Sequence, residues 1–127
     1  MYSVAVLDRV RNPRRVGALP DGDGVGTGEA GTLESGTTVR IQVRLVGRRI
    51  DEARFRVFGC SAAIASAALV AEWLEGADVG EAAGITAARI RAALALPDER
   101  AHVAALAAEA ARQSVADAER KRDGRDD

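Results

Sequence analysis

Thr38-Val-Arg-Ile-Gln-Val-Arg-Leu-Val46 alternates apolar and polar side chains without a break, with Val39, Ile41, Val43 and Leu45 on one side and Thr38, Arg40, Gln42 and Arg44 on the other. A strict period of two marks a strand with one face against a core and one in water. Gly47-Arg48 supplies a turn, and Ile50 to Phe58 offers a second extended run in which Ala53, Phe55 and Val57 face one way and Arg54 and Arg56 the other. These two runs predict an antiparallel hairpin. Two strands alone are marginal in water, so the sheet needs a third strand, drawn from around Val25 to Leu33, or cover from helices.

Upstream, Gly17 to Gly36 is rich in glycine and carries Pro20, Asp21 and Asp23, a composition that reads as a mobile loop with no regular element. Before it, Ser3 caps a short helix over Val4 to Arg11, with Val4, Val6, Leu7 and Val10 at helical spacing and Asn12-Pro13 as the stop. Downstream, Ser61 to Glu75 reads as a helix ended by Gly76, Asp78 to Ala83 as one short turn, and Thr86 as the cap of a helix through Leu94. Pro97-Asp98-Glu99 opens a long amphipathic helix with Val103, Leu106, Ala110 and Val115 on one face. Helices gathered after an antiparallel sheet, with no βαβ alternation, make the class α+β. At 127 residues the chain holds one domain, expected over 1–120, followed by a charged and disordered tail over 121–127.

Net charge is -1, with 29% charged residues of both signs intermixed, so no basic field exists for phosphate backbones. One Trp, one Tyr and two Phe are too few for base-stacking platforms. Both observations argue against nucleic acid. The most apolar run, Ala62 to Val70, falls short of the roughly 18 apolar residues of a membrane span, and the N-terminus lacks the pattern of a secretory signal. With a single cysteine and no export signal, the expected compartment is the reducing cytoplasm.

Cys60 is that cysteine, between Gly59 at a strand end and Ser61 at a helix start. Free backbone N–H groups and the helix dipole there favour a thiolate that binds metal or attacks sulfur. The plainer alternative is a buried thiol acting as a small hydrophobe. His102, the lone histidine, lies in the first turn of the last helix, where such a residue is ordinarily solvated. A hydrolase built on Ser35 and Cys60 is excluded by the lack of an oriented His-acid arrangement.

Several words of the sequence carry a family likeness: Asn12-Pro13-Arg14 with Val16-Gly17, Asp51-Glu52-Ala53-Arg54-Phe55, and Phe58-Gly59-Cys60. Ala63-Ile64-Ala65-Ser66, Glu72-Trp73-Leu74, Leu96-Pro97 and His102 continue it. From Tyr2-Ser3 to about Arg120 the chain resembles the IscU/NifU-type scaffold proteins of iron-sulfur cluster assembly, as a divergent member. The resemblance implies a short sheet covered by helices, and a site of three cysteines, an aspartate and a histidine at one end. At the matching positions Ser35 stands for the first cysteine, Thr37 for the aspartate and Val103 for the third cysteine, leaving Cys60 and His102. In the family the cysteine after the histidine is implicated in receiving sulfur, which Val103 excludes here. The segment matching the chaperone-recognition site reads Leu96-Pro97-Asp98-Glu99-Arg100, with an acidic pair that argues against the usual hand-over.

Two donors cannot fill a site that ordinarily takes about four protein ligands. The expectation is therefore a non-enzymatic accessory module of iron-sulfur or sulfur metabolism that docks on a cysteine desulfurase or related assembly protein. Two alternatives stay open: a cluster or zinc shared between protomers of a homo-oligomer through Cys60 and His102, or a persulfide carrier that uses Cys60.

Overall fold

The computed structural model describes residues 2–124 and is an antiparallel three-stranded sheet with helices on one face. Helix α1 (Val4–Arg11) comes first, followed by β1 (Val25–Thr32), β2 (Thr37–Val46) and β3 (Arg49–Phe58) in spatial order β1-β2-β3. Helices α2 (Ser61–Leu74), α3 (Val79–Ala82) and α4 (Ala87–Leu94) lead through a 3-10 turn at Asp98–Arg100 into α5 (Ala101–Gly124).

The hairpin forms as its alternation predicts. Val39, Ile41, Val43 and Leu45 of β2 and Ala53 and Phe55 of β3 are buried on the helix-facing side. Register partners Ile41 with Phe55 and Val43 with Ala53 place them in rows, which is how a sheet presents one continuous apolar face. Helix α2 has buried residues around most of its circumference, Ala62 to Ala71 and Leu74 among them, as expected of a helix enclosed by its neighbours. Ser3 caps α1 by accepting from the Val6 amide and also donates to the Leu94 carbonyl at 2.6 Å, tying α1 to the end of α4. Asp78 and Glu81 form a reciprocal capping box that holds the single turn of α3.

The glycine-rich segment corrects the loop reading and supplies the third strand around Val25 to Leu33, because eight of its residues are strand β1. Gly26 and Gly28 pair with Val43 and Ile41, so they lie on the side facing the helices, and α5 rests directly on their backbone. A Cβ at Gly26 would come within 2.1 Å of the Ser114 carbonyl oxygen, and one at Gly28 within 2.0 Å of the Ala110 carbonyl oxygen. Only glycine permits that approach. The matching face of α5 is equally small, with Ala104, Ala107, Ala108, Ala110, Ala111, Ser114 and Ala118 buried. The seam therefore replaces interdigitated side chains by close backbone contact and dispersion between many atoms.

Both outer edges of the sheet are closed. Along β1, the outward amides of Thr27 and Glu29 donate to Asp117 Oδ2 at 2.9 Å and Gln113 Oε1 at 3.1 Å of α5. Along β3, the Phe55 amide donates to the Arg15 carbonyl, Gly17 returns a bond to Phe55, and the Ala53 amide donates to Glu75 Oε2 at 3.1 Å. Edge groups satisfied in this way are no longer a template for another strand. Burial opposes the charge on Glu75, but the Ala53 amide together with Arg15 and Arg54 outweighs it and holds the carboxyl below its ordinary value. The Thr27 amide, against the opposing effect of burial, does the same for Asp117, with help from Lys121 and Arg120.

Helix α5 runs through Lys121 to Gly124, where the sequence reading placed a disordered tail, and Arg122 reaches the Gly47 carbonyl in the β2–β3 turn. That anchor explains the longer helix. Residues 125–127 of the expected tail lie outside the described residues. Among the described residues no helix is long and apolar enough to cross a membrane.

Candidate functional site

The five positions singled out by sequence come from three junctions: the β1–β2 turn, the β3–α2 connection and the start of α5. Ser35 sits exposed in the turn, where its hydroxyl donates to the Thr32 carbonyl at 2.8 Å and its amide donates to Thr32 Oγ1 at 3.1 Å. This side chain stitches the turn to itself. Thr37 begins β2 and is buried; a Cβ at Gly59 would lie 3.2 Å from its Cγ2, which places Thr37 against the residue before Cys60.

Cys60 is the N-cap residue of α2, in extended backbone, half-buried and without a capping hydrogen bond from its side chain. Its carbonyl accepts from Ala63 and Ile64, so the first turn of the helix is built on it. His102 is exposed in the first turn of α5 and has no hydrogen-bond partner among the described residues. Val103 is fully buried, and the position next to the histidine is part of the core packing.

Two residues that the sequence reading passed over complete this end. Arg100 donates from Nε to the Tyr2 hydroxyl at 3.1 Å. It also lies within electrostatic range of Cys60: the Tyr2 hydrogen bond first, and then the charges of Tyr2 and Cys60, hold the guanidinium proton more firmly than usual. No local signal marks this contact, because its partners are 98 residues apart.

Within one chain the five positions present two ordinary metal donors. Ser35 and Thr37 carry neutral hydroxyls, Val103 carries none, and Cys60 and His102 supply two donors where about four are needed. Among the described residues no three His, Cys, Asp or Glu side chains come together as a group able to hold a metal ion.

A short antiparallel sheet backed by helices, with a cysteine at the strand-to-helix junction and a histidine opening the last helix, defines a scaffold-type α+β domain. The family model of the NifU-like N terminal domain matches residues 1–124, and the chain belongs to that family. It is 39% identical over 122 residues to iron-sulfur cluster assembly scaffold protein IscU 1 of Archaeoglobus fulgidus, covering 95% of this chain and 78% of the relative. Against the scaffold protein IscU of Escherichia coli strain K12 the identity is 36% over 126 residues, covering 98% of each. In fold it is similar to the crystal structure of a NifU-like N-terminal protein from Brucella abortus, with a TM-score of 0.60, 20% identity, and 96% and 94% of the two chains covered.

Proposed function

We propose that this protein is an iron-sulfur assembly module that does not hold a cluster alone and instead docks on a cysteine desulfurase or another assembly protein, in a non-enzymatic accessory role. The supporting observation is what became of the other ligand positions. Ser35 donates its hydroxyl within its own turn and Val103 packs in the core, so neither position presents a ligand as it stands. Thr37, buried against Gly59, keeps the place of a ligand without its charge. The retained Cys60 and His102 are the proposed points of contact with sulfur or metal cargo.

Anaerobic incubation with iron and sulfide, read by visible absorbance on protein shown to be monomeric, tests this. Wild type is expected to show no protein-bound chromophore, whereas Ser35→Cys/Thr37→Asp/Val103→Cys restores three donors and is expected to gain one. A stable chromophore on the wild-type monomer would end the proposal, as would failure to bind any desulfurase or assembly protein in pull-downs from the native cell.

Cys60, half-buried at the N-cap of α2 with its side chain in no capping hydrogen bond, favours a second reading, a persulfide carrier. In that reading the Cys60 thiolate attacks the terminal sulfur of a desulfurase persulfide, a new S–S bond forms on Cys60, the old S–S bond breaks, and the desulfurase cysteine leaves as thiolate. Intact mass after incubation with a desulfurase and cysteine should then rise by one sulfur, and should not do so in Cys60→Ala.

A further inference from the structure

At the end of α2 away from Cys60 a groove of about 350 Å³ opens between the last turn of that helix, α3 and α4, lined by Trp73, Ala77, Glu81, Ile85 and Arg89. Helix α2 has 14 residues, so at about 1.5 Å per residue the groove and Cys60 lie roughly 20 Å apart. Local caps build its walls. Asp78 and Glu81 hold α3, and Thr86 Oγ1 accepts from the Arg89 amide at 3.2 Å and fixes the first turn of α4.

Both charges in the groove are pinned. The Arg89 guanidinium lies over the Trp73 ring, 4.8 Å from its centroid, and Nη1 donates to the Gly84 carbonyl at 2.7 Å. Stacking and hydrogen bond together set its plane, while Nε and Nη2 have no partner among the described residues. On the other wall Glu81 Oε1 accepts from the Asp78 amide at 3.2 Å, and Oε2 has no partner among the described residues. No ion pair joins Glu81 to Arg89 or to any other cation among the described residues. Opposite charges sharing so small a groove attract each other, yet here each is tied to backbone and stands apart from the other.

A ligand that answers both carries a carboxylate and an ammonium. A lone carboxylate would meet Arg89 but bring a like charge toward Glu81, and a lone amine would meet Glu81 but crowd Arg89; a zwitterion avoids both penalties. Arg89 suits the carboxylate, because a planar guanidinium offers it two parallel N–H groups. The volume stands at the lower end of small-molecule sites, which run from about 300 to about 1,000 Å³. Buried Ile85, with Ala77, supplies an apolar wall between the charges.

We propose that this groove binds free α-amino acids with small apolar side chains, L-valine among them, the carboxylate on Arg89, the ammonium on Glu81 and the side chain against Ile85 and Ala77. Both charged groups stay in contact with water, so affinity is modest, with Kd on the order of 1 mM. The site uses neither Cys60 nor His102 and goes beyond the assembly reading.

Trp73 is the single tryptophan, so its fluorescence and its one indole N–H resonance report on this groove. Both are followed while the metal-free protein is titrated with L-valine to about 50 mM at constant ionic strength. Wild type should give a saturable shift in each. Isovalerate and isobutylamine, which each keep one of valine's two charges, should bind about tenfold more weakly or worse. Arg89→Met should weaken L-valine by a similar factor. Glu81→Gln keeps the acceptor of the capping box and should lose the preference for L-valine over isovalerate, a change of selectivity that a folding defect cannot produce. The proposal is overturned if L-valine gives no saturable shift, if isovalerate or isobutylamine binds as tightly as L-valine, or if Glu81→Gln retains the wild-type preference. Because no iron, sulfide or desulfurase is used, either result leaves the cluster-assembly reading to its own experiment.

Discussion

The α5–β1 seam and the Cys60 end are built on opposite terms. At the seam backbone lies on backbone at Gly26 and Gly28, and the edge amides of Thr27 and Glu29 end on Asp117 and Gln113. At the other end, His102 is exposed without a hydrogen bond, Cys60 is a half-buried helix cap, and Arg56 and Glu34 are unpaired among the described residues. Stability is concentrated where nothing reacts, and uncommitted chemistry is concentrated where little stability depends on it. A scaffold divided in this way can change ligands without changing fold, as the proposed function requires of Ser35, Thr37 and Val103.

The hardest test of that division is Gly28→Ala. Its Cβ would meet two backbone atoms, the Ala110 carbonyl oxygen at 2.0 Å and the Ser114 amide nitrogen at 2.6 Å, and neither can swing aside. Helix α5 must move as a body, at a cost of about 3 kcal/mol, the upper part of the overpacking range. Urea unfolding should show this as a large fall in midpoint. A change below about 1 kcal/mol would mean that the seam is looser than its geometry.

The same seam shows which parts of the fold are legible in the sequence. The β2–β3 hairpin is, because each apolar side chain of Val39 to Leu45 marks its own face. Strand β1 is legible only as the third strand the hairpin needs: the residues on its core face at 26 and 28 are glycines, so the period of two leaves no trace, and the reason for them lies in α5 more than 80 residues on. Ser3, Asp78 and Thr86 are readable as caps since a cap acts within three residues of itself. Cys60 and His102 are readable from residue type and neighbouring words, whereas the Arg100 contact with Tyr2 and the use of Ser35 by its own turn are matters of tertiary placement and hydroxyl orientation.

Asp117→Ala probes the edge of the seam with a smaller effect and a pH signature. It leaves the Thr27 amide without its acceptor, at a cost of about 1–2 kcal/mol near neutral pH. Asp117 ionises more readily in the folded chain than in the unfolded one, so its contribution is complete above the unfolded carboxylate value and is lost as pH falls through the lower folded value. The stability gap between wild type and variant should therefore shrink in acid. A gap that stays constant from neutral pH down to the acid limit of folding would show that the carboxylate charge is not what closes the edge.

Ser35→Ala makes the smallest change, at the opposite end. The hydroxyl donates to the Thr32 carbonyl at 2.8 Å, yet the turn keeps two further bonds without it: the Ser35 amide to Thr32 Oγ1 at 3.1 Å and the Gly36 amide to the Leu33 carbonyl at 3.1 Å. Water can also replace the lost partner at this exposed position, so the cost should stay near 0.5–1 kcal/mol. Iron uptake should not change, because a hydroxyl spent on its own backbone contributes no ligand. If Ser35→Ala cost as much as Gly28→Ala, the turn would belong to the same cooperative unit as the seam. Under the proposed function, Ser35 at the first ligand position could then no longer be a local exchange of a metal contact for a turn hydrogen bond.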